Sequence, residues 1–119
     1  MAFYDTTLQL DTLTPLHWIG IVAALVTAGV HLALGISIGG GFGIAFVLAA
    51  IGFLAGIAAV LLGWRRRLIY LLGIPYTAGQ IVLWFLLNDV PPIEPSHAID
   101  KIAQLILVAV LIALYRREV

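Results

Sequence analysis

Charged side chains are missing from most of this chain, and the positions where they do occur predict where its helices lie. The 53 positions between Asp11 and Arg65 carry no charge. Because one bilayer-crossing helix needs about 20 apolar residues, that stretch predicts two crossings. Residues 37–43 hold four glycines, which favour a tight turn over a continuous helix. The first predicted span is therefore 15–36 and the second is 42–64.

Two more apolar segments follow the arginines that come after the second span. Residues 68–88 are again free of charge and predict a third span. The fourth segment is shorter, because only 102–115 lacks charge, but Pro95 provides a helix start signal. If the Lys101 side chain extends to the headgroups, a span over 98–115 is long enough to cross. A helix lying in the membrane interface is the alternative.

The pattern therefore predicts an all-α fold, an integral membrane four-helix bundle, and the composition agrees with it. Hydrophobic residues make up 63% of the 119 residues and charged residues 10%, against about 25% charged in an average soluble domain. Too few polar side chains remain to cover a globule in water. Basic and acidic residues cancel, so no nucleic-acid partner is expected. The absence of cysteine excludes disulfides and thiolate metal sites.

Arginine placement predicts the orientation of the bundle. Arg65–Arg67 lie between spans two and three, and Arg116 and Arg117 follow span four. With four crossings all five fall on one side, which the positive-inside rule makes cytoplasmic. Both termini are then cytoplasmic, with residues 1–14 as an N-terminal tail and residues 15–117 as a single transmembrane domain. The predicted location is the cell membrane.

Small residues recur along one face of the second span at three- or four-residue steps. The interface candidates on this face are Ala45, Ala49, Gly52 and Gly56, and the last two form a GxxxG element. Hydrophobicity cannot draw helices together inside lipid, so close contact through small residues has to contribute. The face predicts either packing within one chain or a homo-oligomer interface, and the pattern does not choose between them.

Few polar groups lie at membrane depth, and several of them share helix faces. Tyr76 and Gln80 are one turn apart on the third span, and Asp100 and Gln104 are one turn apart on the fourth. Together with His31 they form a candidate polar intramembrane site in the outer half of the bundle. Structural hydrogen bonds between helices are the alternative. His31 is expected to hydrogen-bond Gln80 or Tyr76.

Asp100 is placed in the early turns of span four, where the helix dipole tolerates an anion. No Asp or Glu is predicted to lie deep in any span, so the buried carboxylate on which proton-coupled exporters of similar length depend is expected to be absent. His97 is placed in a solvated outer loop.

His17 and His31 suggest an alternative in which the protein binds a cofactor. They are 14 positions apart, which leaves them about 40° apart around the helix axis and about 21 Å apart along it. Histidines at this kind of spacing ligate separate haems in membrane cytochromes. Each haem needs a second histidine from a facing helix, which only a symmetric dimer supplies here. Apart from haem, no cofactor and no metal is predicted.

The residue sets of common enzymes are missing from the sequence. There is no Ser/His/Asp set, no HExxH, no phosphate-binding glycine loop and no CxxC. The residues that hydrolases, NTPases and zinc enzymes require are therefore missing, and the protein is predicted not to be an enzyme.

Five short stretches carry a resemblance: Thr14–Gly20, Val30–Gly35, Arg65–Tyr70, Gly73–Thr77 and Gln80–Trp84. In them the chain resembles a family of small, uncharacterised four-helix membrane proteins from halophilic archaea. The likeness runs over most of residues 14–117. It implies an archaeal cell membrane, and it transfers no activity and no catalytic residue.

Three functions follow from these observations. The first is a non-enzymatic protein of the lipid bilayer that acts through helix–helix contacts, as an accessory subunit of a larger membrane complex or as a homo-oligomer. The second is a small carrier or channel whose polar path runs near His31, Tyr76 and Gln80, and which two copies would enclose. The third is haem or another lipid-soluble cofactor bound through His17 and His31.

Overall fold

The computed structural model describes residues 8–88 and 94–117, and these form an all-α fold. A short 3-10 turn precedes four helices, and the predicted four-helix architecture is confirmed. Residues 1–7 of the predicted tail, and 89–93 between spans three and four, lie outside the described residues. The elements are the 3-10 turn Leu10–Thr12, α1 Pro15–Ile38, α2 Gly40–Leu61, α3 Arg66–Leu87 and α4 Pro95–Arg117.

All four helices are long and apolar enough to cross a bilayer. Their ends lie within three residues of the predicted spans. One of the two three-residue differences is at α4, which begins at Pro95 and includes both Asp100 and Lys101. A proline is compatible with the first turn of a helix, where its missing N–H would have no intrahelical partner. The helix therefore extends past its charge-free part, and α4 reaches spanning length.

The connection between α1 and α2 is a single residue, Gly39, within the predicted glycine turn. Gly39 has φ +69° and Gly40 has φ +63°, both in the left-handed region that favours glycine. Because the turn is so short, α1 and α2 come into contact directly beside it. A Cβ placed on Gly43 would lie 2.6 Å from the carbonyl oxygen of Gly35, so the two backbones touch there with no room for a side chain.

Arg66 fastens the other described connection, between α2 and α3. Its Nε donates to the carbonyl oxygen of Val60 at 2.8 Å, and its Nη1 donates to Thr12 Oγ1 at 2.7 Å. The last turn of α2, the segment before α1 and the start of α3 are therefore joined by one guanidinium. Charge-assisted bonds of this kind are stronger than neutral ones.

The arginines gather at one end of the bundle. The Arg67 guanidinium lies 4.3 Å from the centre of the Tyr115 ring, which brings the start of α3 to the end of α4. We call this the arginine end, defined by Arg65–Arg67, Arg116 and Arg117. The opposite end, with the turn at Gly39 and the start of α4, is the glycine end. Both ends of the described chain lie at the arginine end.

Helix packing leaves one seam of the bundle loosely closed. α1 packs extensively on α2 and on α4, and α4 packs on α3, whereas α2 and α3 touch over a much smaller part of their length. Going around the bundle, the order is therefore α2, α1, α4, α3, with an opening between α2 and α3. α4 contributes buried residues along its whole length, from Asp100 to Leu114, as an integral member of the bundle.

The bundle is apolar outside and carries its polar groups inside. Large apolar side chains such as Ile36, Leu72 and Leu86 are exposed on the helix surfaces. A water-soluble domain shows the reverse arrangement, so this pattern suits a small multi-pass membrane protein. The buried polar side chains are His17, Thr27, His31, Thr77, Asp100 and Gln104.

Candidate functional site

A buried carboxylate lies at the centre of the polar groups. Asp100 is only 4% exposed, because it shares the inward face of α4 with Ala103, Gln104 and Leu107. Its Oδ1 accepts a short hydrogen bond from the hydroxyl of Thr27, which is near the middle of α1. The expectation that no acidic residue lies deep in a span is therefore wrong. The rotation of α4 turns Asp100 toward α1 instead of toward the headgroups.

His31 completes the α1 side of this site. Its Nδ1 lies 2.8 Å from the carbonyl oxygen of Thr27 and 3.5 Å from Asp100 Oδ1. A carbonyl oxygen only accepts, so Nδ1 carries a hydrogen, and in the neutral ring Nε2 then holds the lone pair. The expected partners, Gln80 and Tyr76, are wrong for His31, because Thr27 is one turn earlier on its own helix and closer.

Lys101 turns inward and pairs with its neighbour. Its Nζ lies 2.9 Å from Asp100 Oδ2 and donates to Gln104 Oε1 at 2.7 Å. The ammonium also lies 5.5 Å from the centre of the Trp84 ring. The predicted extension of Lys101 to the headgroups is therefore wrong. A nearby buried carboxylate stabilises the Lys101 ammonium more than a position at the helix end would, because opposite charges attract strongly where water is scarce.

The amide side chains carry the network to the other two helices. Gln104 Nε2 donates to Gln80 Oε1 at 3.1 Å. The Tyr76 hydroxyl interacts with the Gln80 side chain one turn away and donates to the carbonyl oxygen of Ala49 at 2.8 Å. The five predicted site residues therefore belong to one network of polar contacts. We call it the polar cluster: Thr27, His31, Tyr76, Gln80, Asp100, Lys101 and Gln104.

A cleft of about 310 Å³ opens beside the polar cluster, between α2 and α3 toward the glycine end. Its lining includes His31, Gln80, Asp100 and Lys101 on one side and apolar residues of α2 on the other. His97 also lines it, and accepts a hydrogen bond from Trp84 Nε1 at 3.1 Å. His97 lies in the first turns of α4 and is half-buried, so its placement in a solvated loop is wrong.

The small-residue face of α2 is used within the chain. Tyr76 packs directly on Gly52 and bonds the Ala49 carbonyl, and Gly56 lies near Ile69. Ala45 is exposed and lines the cleft. Packing within one chain is thus observed at Ala49, Gly52 and Gly56, and an interface with a second copy stays a prediction.

His17 lies far from the polar cluster, at the arginine end. Its Nδ1 accepts from the backbone N–H of Thr14 at 3.0 Å and lies 2.9 Å from the Thr14 hydroxyl, so it caps the start of α1. Its ring lies 6.3 Å from that of Tyr70. Across residues 8–88 and 94–117, no group of three His, Asp or Glu side chains is placed to hold a metal ion. Haem binding through His17 and His31 stays a prediction.

Two single residues and one pair were not placed at this site from the sequence: Thr27, Lys101 and the Trp84–His97 pair. One signal was available, since Thr27 precedes His31 by four residues and so shares its helix face. The other two depend on how α3 and α4 are rotated against each other, which apolar sequences do not show.

Comparison with known proteins identifies a family and no activity. Residues 5–115 match the family model DUF7475, described as a family of unknown function, and the chain belongs to that family. No curated protein and no solved structure matches the chain.

Proposed function

We propose that this protein is a small transport protein of the cell membrane. Its family is one of unknown function, and its four helices are compatible with a membrane. The first support is its build, with four helices of spanning length and an apolar outer surface. The second is the gathering of arginines at one end. By the positive-inside rule the arginine end faces the cytoplasm, together with both ends of the described chain.

The observation that carries the transport proposal is the burial of Asp100 between α1 and α4. Charged groups within a membrane domain are costly, and those that occur usually mark paths for ions, protons or solutes. A purely structural hydrogen bond between helices needs no ionisable group. Here a carboxylate, an ammonium and an imidazole converge beside a cleft.

The cleft supplies groups that recognise a small polar solute. In the neutral ring of His31, the Nε2 lone pair is an acceptor for a donor on the solute. His97 uses Nδ1 as the acceptor for Trp84, so its Nε2 carries a hydrogen to donate. The volume, about 310 Å³, is at the lower end of ligand pockets, which span about 300–1,000 Å³. Protons exchange at Asp100 and His31, and a small polar solute occupies the cleft.

The loose seam between α2 and α3 gives this site a way to open. Near the polar cluster, the hydrogen bond from Tyr76 to the Ala49 carbonyl joins the two helices. A bond of this kind within a membrane protein contributes on the order of 1 kcal/mol. Separation of α2 from α3 therefore exposes the cleft at low cost, while the α1–α4 contact that holds Asp100 stays intact.

Proton movement in liposomes tests the proposal. Purified protein is reconstituted into vesicles that contain a pH-sensitive dye. In one arm a potassium gradient with valinomycin makes the interior negative; in the other, small amines, amino acids and sugars are added outside one at a time. We expect wild-type vesicles to acidify faster than protein-free vesicles in at least one arm. Asp100→Asn should lower the rate to the protein-free level, because an amide does not exchange protons.

Glu94→Gln is the matched control, since Glu94 is an exposed acid just before α4. It should retain the wild-type rate. His31→Leu is a second variant at the site and should also lose the signal. The proposal is wrong if wild-type vesicles match protein-free vesicles in both arms, or if Asp100→Asn keeps the full rate.

Action through helix–helix contacts, as an accessory subunit or a homo-oligomer, stays an alternative function. The archaeal membrane that the resemblance implies stays a prediction. Occupation of the Ala49–Gly52 surface by Tyr76 removes part of the face on which self-association was predicted. Light scattering of the detergent-solubilised protein tests the homo-oligomer, because self-association requires a mass above that of one chain.

A further inference from the structure

A second cavity lies in the middle of the bundle, between the polar cluster and the arginine end. It has a volume of about 90 Å³ and is mostly lined by apolar side chains such as Phe53 and Leu107. Four polar side chains also reach its wall: His17 and Tyr70 toward the arginine end, and Tyr76 and Thr77 toward the polar cluster. The established contacts of the polar cluster do not use this space.

Thr77 is the unexplained residue of this cavity. It is 1% exposed, and its Oγ1 has no hydrogen-bond partner among the residues that the structure describes. A buried hydroxyl without a partner costs free energy, and most buried polar atoms are bonded to protein or to ordered water. Thr77 lines the cavity, so a partner for its hydroxyl can occupy that space.

We infer that the central cavity holds water, hydrogen-bonded to the Thr77 hydroxyl. A buried water needs roughly 15 Å³ of such space and two to four polar partners. The cavity, at about 90 Å³, has room for more than one molecule. Thr77 supplies one partner, and the Tyr76 hydroxyl, which donates to Ala49 and can still accept, supplies another within the same wall. An apolar occupant leaves the hydroxyl unpaired.

This water connects the two polar regions of the bundle. Tyr76 belongs to the polar cluster through Gln80 and also lines the central cavity. At the other side the cavity reaches His17, which bonds Thr14 at the start of α1. Water between them gives the Asp100 site a route for protons from the arginine end. That route rests on the proposed function, whereas the presence of water does not.

Cysteine reactivity measures the water directly, because the chain has no cysteine of its own. A Thr77→Cys variant is treated in detergent with a small water-soluble methanethiosulfonate reagent. Ala50→Cys is the matched control, since Ala50 is equally buried and lines neither cavity. We expect the Thr77→Cys variant to react at least about tenfold faster than the control, because only a hydrated cavity admits the reagent.

A second measurement uses the near-isosteric Thr77→Val, with Thr77→Ser as the control that keeps the hydroxyl. If water is bound, Thr77→Val removes one of the water's hydrogen-bond partners. The melting temperature then falls further than it does for Thr77→Ser. If the cavity is dry, Val removes an unpaired hydroxyl and the melting temperature rises.

A Thr77→Cys variant as slow as Ala50→Cys overturns the inference, and so does a raised melting temperature for Thr77→Val. Neither experiment involves transport. Loss of the proton signal in liposomes therefore leaves the hydrated cavity standing, and a dry cavity leaves the Asp100 site standing.

Discussion

Asp100→Ala is expected to lower the free energy of unfolding by about 3 kcal/mol, the lower end of the cost of removing one partner of a buried ion pair. The reason is that the ammonium of Lys101 and the hydroxyl of Thr27 both lose their acceptor. Lys101 keeps its bond to Gln104 and is slightly exposed, which limits the loss. Unfolding in mixed detergent micelles, followed by helical circular dichroism, measures the change.

The double variant Asp100→Ala with Lys101→Met is the decisive comparison. Removing both partners of a buried pair costs less than removing one, because no charge is left unpaired. We therefore expect the double variant to be more stable than Asp100→Ala alone. A double variant that is less stable than either single one shows that the two residues do not act as a pair.

Gly43→Ala is the second substitution with a large expected effect. The added Cβ would lie 2.6 Å from the Gly35 carbonyl oxygen, and backbone atoms cannot rotate away as a side chain does. The two helices have to separate next to a one-residue turn. We expect a loss of about 1–3 kcal/mol, the usual cost of overpacking, in the same unfolding measurement. Gly43→Val should cost more than Gly43→Ala.

Gly41→Ala is the control for that prediction. Gly41 lies two residues earlier on the same helix, and no heavy atom lies within 4 Å of a Cβ placed there. Alanine favours helix over glycine by up to about 1 kcal/mol, so this variant should be neutral or slightly stabilised. Equal losses from Gly41→Ala and Gly43→Ala contradict the close contact of α1 and α2.

The helices and their connections were predictable from the sequence because long charge-free runs have a direct physical meaning. A run such as 12–64, which is too long for one crossing and interrupted by glycines, leaves little choice but two helices and a turn. The turn position followed from backbone freedom at Gly39 and Gly40. Length and turn chemistry are local properties, so one sequence suffices to predict them.

The pairing of polar groups was only partly predictable. Spacing along one helix placed Gln104 with Asp100 and Gln80 with Tyr76, and both pairs belong to the polar cluster. Which neighbouring helix each pair faces depends on how the helices are rotated about their axes and shifted along them. In helices that are apolar all round, these are decided by packing shape, which the residue pattern does not express. Asp100 was therefore expected only in the early turns of span four, although it bonds Thr27 near the middle of α1.

The closest helix contact lies outside the predicted small-residue face. That face includes the GxxxG element at Gly52 and Gly56, whereas the backbones of α1 and α2 meet at Gly35 and Gly43. A small-residue motif shows where close packing is allowed and not where it occurs. At Gly52 the space is filled by the Tyr76 side chain from α3, so the neighbouring helix stays further away.

The transport proposal requires that the bundle crosses a membrane, and the positive-inside rule places its arginine end in the cytoplasm. Labelling of single cysteines in intact cells with a membrane-impermeant maleimide tests this most directly. Asn88 and Trp64 are exposed at opposite ends of α3. We predict that Asn88→Cys is labelled in intact cells and that Trp64→Cys is labelled only after lysis. Labelling of Trp64→Cys in intact cells, or a protein that stays in solution without detergent, contradicts the account.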